Sequence, residues 1–116
     1  MRIGIDFDST ITKYPRFFAE LTQNPEHKCW VITARPEKER EFVEGFIKNY
    51  GIRVKGIMMI TQDLALADDR AYIQTVFREK PKFFKELKIE VAYDDDLRFL
   101  NKLKKVMPKV IPILVL

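Results

Sequence analysis

Five short apolar runs punctuate the chain: Ile3-Gly-Ile5, Cys29-Trp-Val-Ile32, Gly56-Ile-Met-Met-Ile60, Ile89-Glu-Val-Ala-Tyr93 and residues 110–115. Each has the length of a strand, and the runs are too continuously apolar for a sheet with one wet face. Between them apolar residues return every three or four positions, as at Phe42, Phe46, Ile47 and Tyr50, with charges over 37–44 on the other side of the turn. Strands alternating with amphipathic helices predict an α/β chain: a five-stranded parallel sheet between two helical layers, joined by right-handed crossovers. The breakers suit these boundaries. Pro36 is expected in the first turn of a helix that Gly51 ends, Pro81 is expected to open a helix running to Leu87, and Pro108 to stop the last one. Residues 61–79 are the least regular stretch. They read as a loop and then a short helix over about 68–77, begun by Asp68 and Asp69.

Composition narrows the class without changing this outline. With 116 residues there is length for one domain, residues 1–116; 47% apolar content and nine phenylalanines against four glycines and six prolines exclude a disordered or collagenous chain. Cys29 is the lone cysteine and His27 the lone histidine. The first implies no internal disulfide and a reducing compartment; the second has no partner at zinc spacing and reads as a surface residue. Cys29 itself, Trp30 and the phenylalanines at 17, 18, 42, 46, 83, 84 and 99 occupy core spacings rather than a stacking platform for bases. The apolar pattern starts at the second or third residue, leaving no leader. The longest apolar run, 110–116, is broken by Pro112 and falls far short of the ~20 residues that span a bilayer. A soluble, cytoplasmic protein with no membrane partner is expected.

Ligands of open parallel sheets bind beyond the carboxyl ends of the strands, and here those ends are polar. The first strand runs into Asp6-Phe-Asp8-Ser-Thr10, which puts two carboxylates at one strand end while Phe7 turns to the core. A lone Asp there would be read as a helix cap, but two adjacent anions repel unless a cation or a proton compensates them. The second strand ends in Thr33-Ala-Arg35, where the hydroxyl could cap a helix. The fourth ends in Asp94-Asp95-Asp96. Acids gathered from two strand ends call for a metal, and magnesium, with its all-oxygen octahedral shell open to phosphate, is the economical choice. Lys80, just before Pro81, is the candidate cation for phosphoryl oxygens, with Lys82 as its rival.

The ordered set Ile3-Gly-Ile-Asp6-Phe-Asp8-Ser-Thr10-Ile-Thr12, Val31-Ile-Thr33-Ala-Arg35-Pro36, Lys80-Pro81 and Val91-Ala-Tyr-Asp94-Asp95 resembles the four motifs of the haloacid dehalogenase-like superfamily over nearly the whole chain. The resemblance implies a Rossmann-like three-layer fold with Asp6 as nucleophile, forming an aspartyl-phosphate, and Asp8 as general acid and then base. Thr33 would bind the phosphoryl group, and Lys80 would offset its charge. Magnesium would be held by Asp6, the Asp8 backbone carbonyl, Asp94 and Asp95, with Asp95 the direct ligand of the pair and Asp96 in reserve; Arg35 is either a substrate contact or a surface residue. The second aspartate favours phosphate esters over dehalogenation. The intervals 11–28 and 35–79 leave no room for a cap domain, so the open site would be closed by a large substrate or a second subunit of a homo-oligomer.

Capless relatives include the phosphatase domains of polynucleotide kinase-phosphatases and nucleotidase-like members. The expected substrate is accordingly a phosphomonoester, with nucleotides or nucleic-acid phosphate ends favoured. A phosphotransferase or mutase using the same intermediate, and a non-enzymatic phosphoacceptor module, are the alternatives; in the latter, receiver-like modules carry their motifs in a different order. Charge adds one further point. The net charge is +4 from 21 basic and 17 acidic residues, and setting aside Asp6, Asp8, Asp94, Asp95 and Lys80 leaves 20 basic against 13 acidic. Arg98, Lys102, Lys104, Lys105 and Lys109 follow the acidic triplet with no acid among them. An acidic pocket on a basic body suits an anionic polymer.

Overall fold

A computed structural model describes residues 1–60, 64 and 66–116. The strands are β1 (Arg2–Ile5), β2 (Lys28–Pro36), β3 (Gly56–Ile60), β4 (Val91–Asp94) and β5 (Ile111–Leu114); the helices are α1 (Pro15–Gln23), α2 (Arg40–Asn49), α3 (Asp69–Glu86) and α4 (Leu97–Val106). All neighbouring strands pair in parallel, in the order β3-β2-β1-β4-β5. This is the expected three-layer, Rossmann-like α/β arrangement. The order reverses at β1, whose neighbours β2 and β4 lead to opposite edges of the sheet, and crevices open at such reversals.

Alternation along β1 assigns each residue to a layer. Ile3, Ile5 and Phe7 join Phe18 and Ala19 of α1 and Val43 and Ile47 of α2 in one core. On the opposite face, Trp30, Ile32 and Ala92 pack against Phe84 of α3 and Phe99, Leu100 and Leu103 of α4. Gly4 faces that second layer at a close approach. A Cβ there would lie 2.9 Å from a ring carbon of Phe84 and 3.0 Å from the Ile32 terminal methyl. Gly4→Ala is therefore expected to cost ~1–3 kcal/mol through overpacking, read as a lowered urea midpoint with an unchanged slope. The same alternation sends Asp6, two residues on, out on the α3/α4 side of the sheet.

Several boundaries differ from the sequence reading. Pro81 does not open a helix: it lies inside α3, which is continuous from Asp69 to Glu86. A proline in a helix interior forfeits one backbone bond and costs ~3 kcal/mol. Here the helix is held on both sides of it, by burial of Thr75, Val76, Lys80 and Phe84 and by the Asp68 carboxylate, which accepts a bond from the Ala71 N–H at 2.8 Å. Pro36 ends β2 rather than starting a helix; a single 3-10 turn, Glu37–Glu39, intervenes before α2. Gly51, at φ 68°, does end α2 as expected. Phe17 and Phe42 are not core residues, being 46% and 55% exposed. His27 is half-buried, and its Nδ1 is enclosed with no partner among the described residues rather than solvated at the surface.

Strand β5 forms one edge of the sheet. The Ile111 and Val115 N–H groups donate inward to the carbonyls of Glu90 and Asp94, so Pro112 lies on the outward-facing phase of the strand. Among the described residues no helix is long and apolar enough to cross a membrane.

Candidate active site

Beyond Ile5 the chain leaves the sheet in a wide turn, Phe7–Ile11, closed by a bond from the Thr12 N–H to the Phe7 carbonyl at 3.1 Å. Ser9 takes a left-handed conformation, φ 59°, and its N–H donates to the Thr12 hydroxyl at 2.9 Å, which offsets part of the strain. This turn leaves Asp6 almost fully buried and Asp8 exposed at the mouth of the cleft. The buried Thr10 hydroxyl turns back to donate to Asp6 Oδ2 at 3.4 Å.

Lys80 reaches the strand ends from α3. It is 4% exposed, and its ammonium donates to Asp6 Oδ1 at 2.9 Å and to Asp94 Oδ2 at 2.8 Å, lying 4.6 Å from the Phe99 ring centre. Lys82 does none of this, being exposed and paired with Glu79. Position in the helix, not a helix N-terminus, thus distinguishes the two lysines: Lys80 lies on the buried stripe with Val76 and Phe84. Asp94 is fixed further by the Asp96 N–H, which donates to its Oδ1 at 2.9 Å. Asp96 is a helix cap, accepting from the N–H groups of Arg98 and Phe99 at the start of α4.

Asp6, Asp94 and Asp95 each place an oxygen within 4.8 Å of the others. Burial pushes the Asp6 carboxyl up to about 8, with the neighbouring Asp94 adding to the shift and Lys80 opposing it. Asp94 is raised too, first by burial. For Lys80, burial pulls toward the neutral amine, but the two carboxylates outweigh it and hold the ammonium above the usual lysine range. Two buried carboxylates therefore share one ammonium, and the surplus negative charge is met by protonation or by a further cation. An all-oxygen carboxylate set of this kind fits a hard divalent ion and suits neither zinc nor copper, which favour nitrogen and sulfur donors.

The expected site residues do not all converge. Asp8 turns away from the acidic cluster to Arg35, whose Nε and Nη2 donate to its oxygens at 2.8–3.2 Å. Arg35 also binds Glu39 at 2.7 Å and lies over the rings of Phe7 and Phe42. Thr33 is buried inside β2, three residues before the strand ends at Pro36, and its hydroxyl accepts from the Arg35 N–H at 3.2 Å. A cleft of roughly 450 Å3 opens over Asp6, Asp8, Lys80, Asp94, Asp95 and Asp96; Thr33 does not line it.

No protein-family model and no curated protein sequence matches the chain. Its fold does have a solved counterpart. The chain superposes with a TM-score of 0.68 at 13% identity on a chain of the Pnkp1/Rnl/Hen1 complex, covering 98% of its own length and 45% of that chain. At this identity the likeness is one of fold, and the chain spans less than half the length of the protein it resembles.

The cleft also has walls that the sequence reading passed over. Asp69, Tyr72, Ile73, Val76 and Phe77, all from α3, line it beside Lys80. Burial, followed by the fields of Asp6, Asp8 and Asp96 against that of Lys80, pushes the Tyr72 phenol up. A signal for this wall was present. Positions 69, 72, 73, 76, 77 and 80 repeat at helical spacing straight through to the motif lysine, once Pro81 is not taken as a start.

Proposed function

We propose that the protein is a magnesium-dependent phosphomonoesterase of the haloacid dehalogenase-like type, acting through an aspartyl-phosphate on Asp6. One observation carries the reading: a buried ammonium, Lys80, clasped between Asp6 and Asp94, with Asp95 beside them, at the carboxyl ends of β1 and β4. A carboxylate attacks an anionic phosphate poorly unless positive charge flanks both. Lys80 supplies that charge, and Thr10 and Lys80 fix the two oxygens of Asp6. Asp6, Asp94 and Asp95 would hold the magnesium, which when bound supplies further charge neutralisation at the phosphoryl oxygens.

In the first half-reaction an Asp6 oxygen forms a bond to phosphorus as the ester oxygen leaves, taking a proton from Asp8. In the second, Asp8 takes a proton from water, whose oxygen attacks the phosphorus, releasing phosphate and restoring the Asp6 carboxylate. Asp8 lines the cleft mouth, and for both transfers its carboxyl would leave the Arg35 fork and turn toward Asp6.

The test is hydrolysis of an aryl phosphate by the purified chain with magnesium and with chelator. Magnesium-dependent release of phosphate is expected, and Asp8→Asn should retain metal-dependent stabilisation while losing ~10²–10⁴ in turnover. Equal rates in chelator and magnesium would remove the metal from the proposal, and an undiminished Asp8→Asn enzyme would remove the proton relay.

A further inference from the structure

A second groove, of roughly 540 Å3, runs between α3 and α4 and shares the side chains of Ile73 and Phe77 with the wall of the acidic cleft. Its floor is apolar, built from those two residues with Pro81 and Val106; its rim carries Arg78, Lys82, Lys85 and Lys102. No acid lines it. Glu79, just outside, pairs with both Arg78 and Lys82, but Lys85 and Lys102 have no ion-pair partner among the described residues. On α4, Lys102 lies one turn beyond Arg98, which lines the acidic cleft and pairs with Asp96 at 3.5 Å, so the cationic rim of the groove begins beside the cleft mouth.

The geometry points to this groove as the track for a single-stranded nucleic acid whose terminal phosphate enters the acidic cleft. The inference rests on the phosphomonoesterase reading for the fate of that phosphate, though not for binding. Charge complementarity selects the occupant: a cationic rim over an apolar floor that offers one aromatic ring, Phe77, matches a chain of phosphates bearing flat bases. A short phosphate ester would occupy the cleft alone and leave the groove unused. Along α3 the 1.5 Å rise sets Arg78 and Lys85 about 10 Å apart, so the rim is long enough to follow a chain rather than cradle one anion.

Two measurements on the full chain separate the track from the chemistry. In the first, anisotropy of labelled DNA and RNA octamers carrying a 3′- or 5′-phosphate is followed with salt. K85E/K102E should weaken binding at least tenfold, while K85R/K102R retains it; loss of two phosphate contacts should also reduce the salt slope by about 1.4 units in the K85A/K102A variant. In the second, kcat/KM for the octamers should exceed that for a mononucleotide, K85E/K102E should erase the advantage, and aryl-phosphate hydrolysis should not change. Octamer binding unaffected by charge reversal, or a phosphopeptide preferred over every oligonucleotide, would overturn the track. Loss of aryl-phosphate hydrolysis in the unmodified protein, with octamer binding still sensitive to K85E/K102E, would instead overturn the phosphatase reading and leave the track standing. The DNA and RNA arms distinguish which polymer it carries.

Discussion

Asp6→Asn is expected to abolish phosphate release, by at least ~10⁴-fold, because an amide oxygen cannot act as the nucleophile and no neighbouring group occupies its place. Loss of folding would be the wrong explanation for that result. Asn matches Asp in shape, and the substitution leaves Asp94 and Lys80 as a one-to-one pair at 2.8 Å. It should also change how stability depends on pH. The Asp6 carboxyl is raised from the model-peptide 3.8 to about 8 in the fold, so between those values the folded chain holds a proton that the unfolded chain has released. Stability from this group is complete below the unfolded value and is lost as pH rises through the folded one. Asp94, raised in the same direction, adds to the slope. In chelator the unmodified protein should thus melt at lower temperature at pH 8 than at pH 5, and Asp6→Asn should show a shallower dependence. Undiminished turnover in the variant would discard Asp6 as nucleophile; a flat pH profile in the unmodified protein would discard the buried surplus charge.

Lys80→Ala carries the second large effect, and it is felt by the fold as well as the chemistry. Removing the ammonium leaves Asp6 and Asp94, both nearly inaccessible, without their cation. Breaking a buried ion pair from one side costs ~3–5 kcal/mol. Protonation of the carboxylates relieves part of this, so the deficit in the urea midpoint should be largest above pH 8 and smallest near pH 5. Lys82→Ala is the control: its partner Glu79 is a surface group, and a change within ~0.5 kcal/mol with full activity is expected. Reversed behaviour of the two lysines would mean that the helix register has been misassigned.

The layer structure was legible because it depends on runs of apolar residues, whose burial on two faces leaves little choice of architecture. Asp6 and Asp94 were legible for a related reason: Asp6 directly follows β1 and Asp94 ends β4, so each position is inherited from the sheet. Lys80 does lie between Asp6 and Asp94, but not by way of a helix start at Pro81. Pro81 looked like a helix start because local rules penalise it anywhere else, whereas the buried stripe of α3 overrides that penalty over eighteen residues. The same misreading concealed the wall of Asp69, Tyr72 and Phe77. Phe17 and Phe42 went wrong in the opposite way, since helical spacing identifies a face but not how far a neighbouring layer extends over it. The turning of Asp8 to Arg35 was beyond any local rule, because it depends on a contact across 27 positions. Arg35, left open between substrate and surface, is instead committed to Asp8 and Glu39.

The proline in the edge strand limits how this molecule can grow. The phase of β5 that faces away from the sheet offers no N–H at Pro112, so a further strand laid alongside would meet a gap in the ladder where it begins. Ile111 and Leu116 remain exposed at that border all the same. Attachment there is favoured through side-chain packing over strand pairing, which guards an apolar rim against templated aggregation while leaving it available for contact.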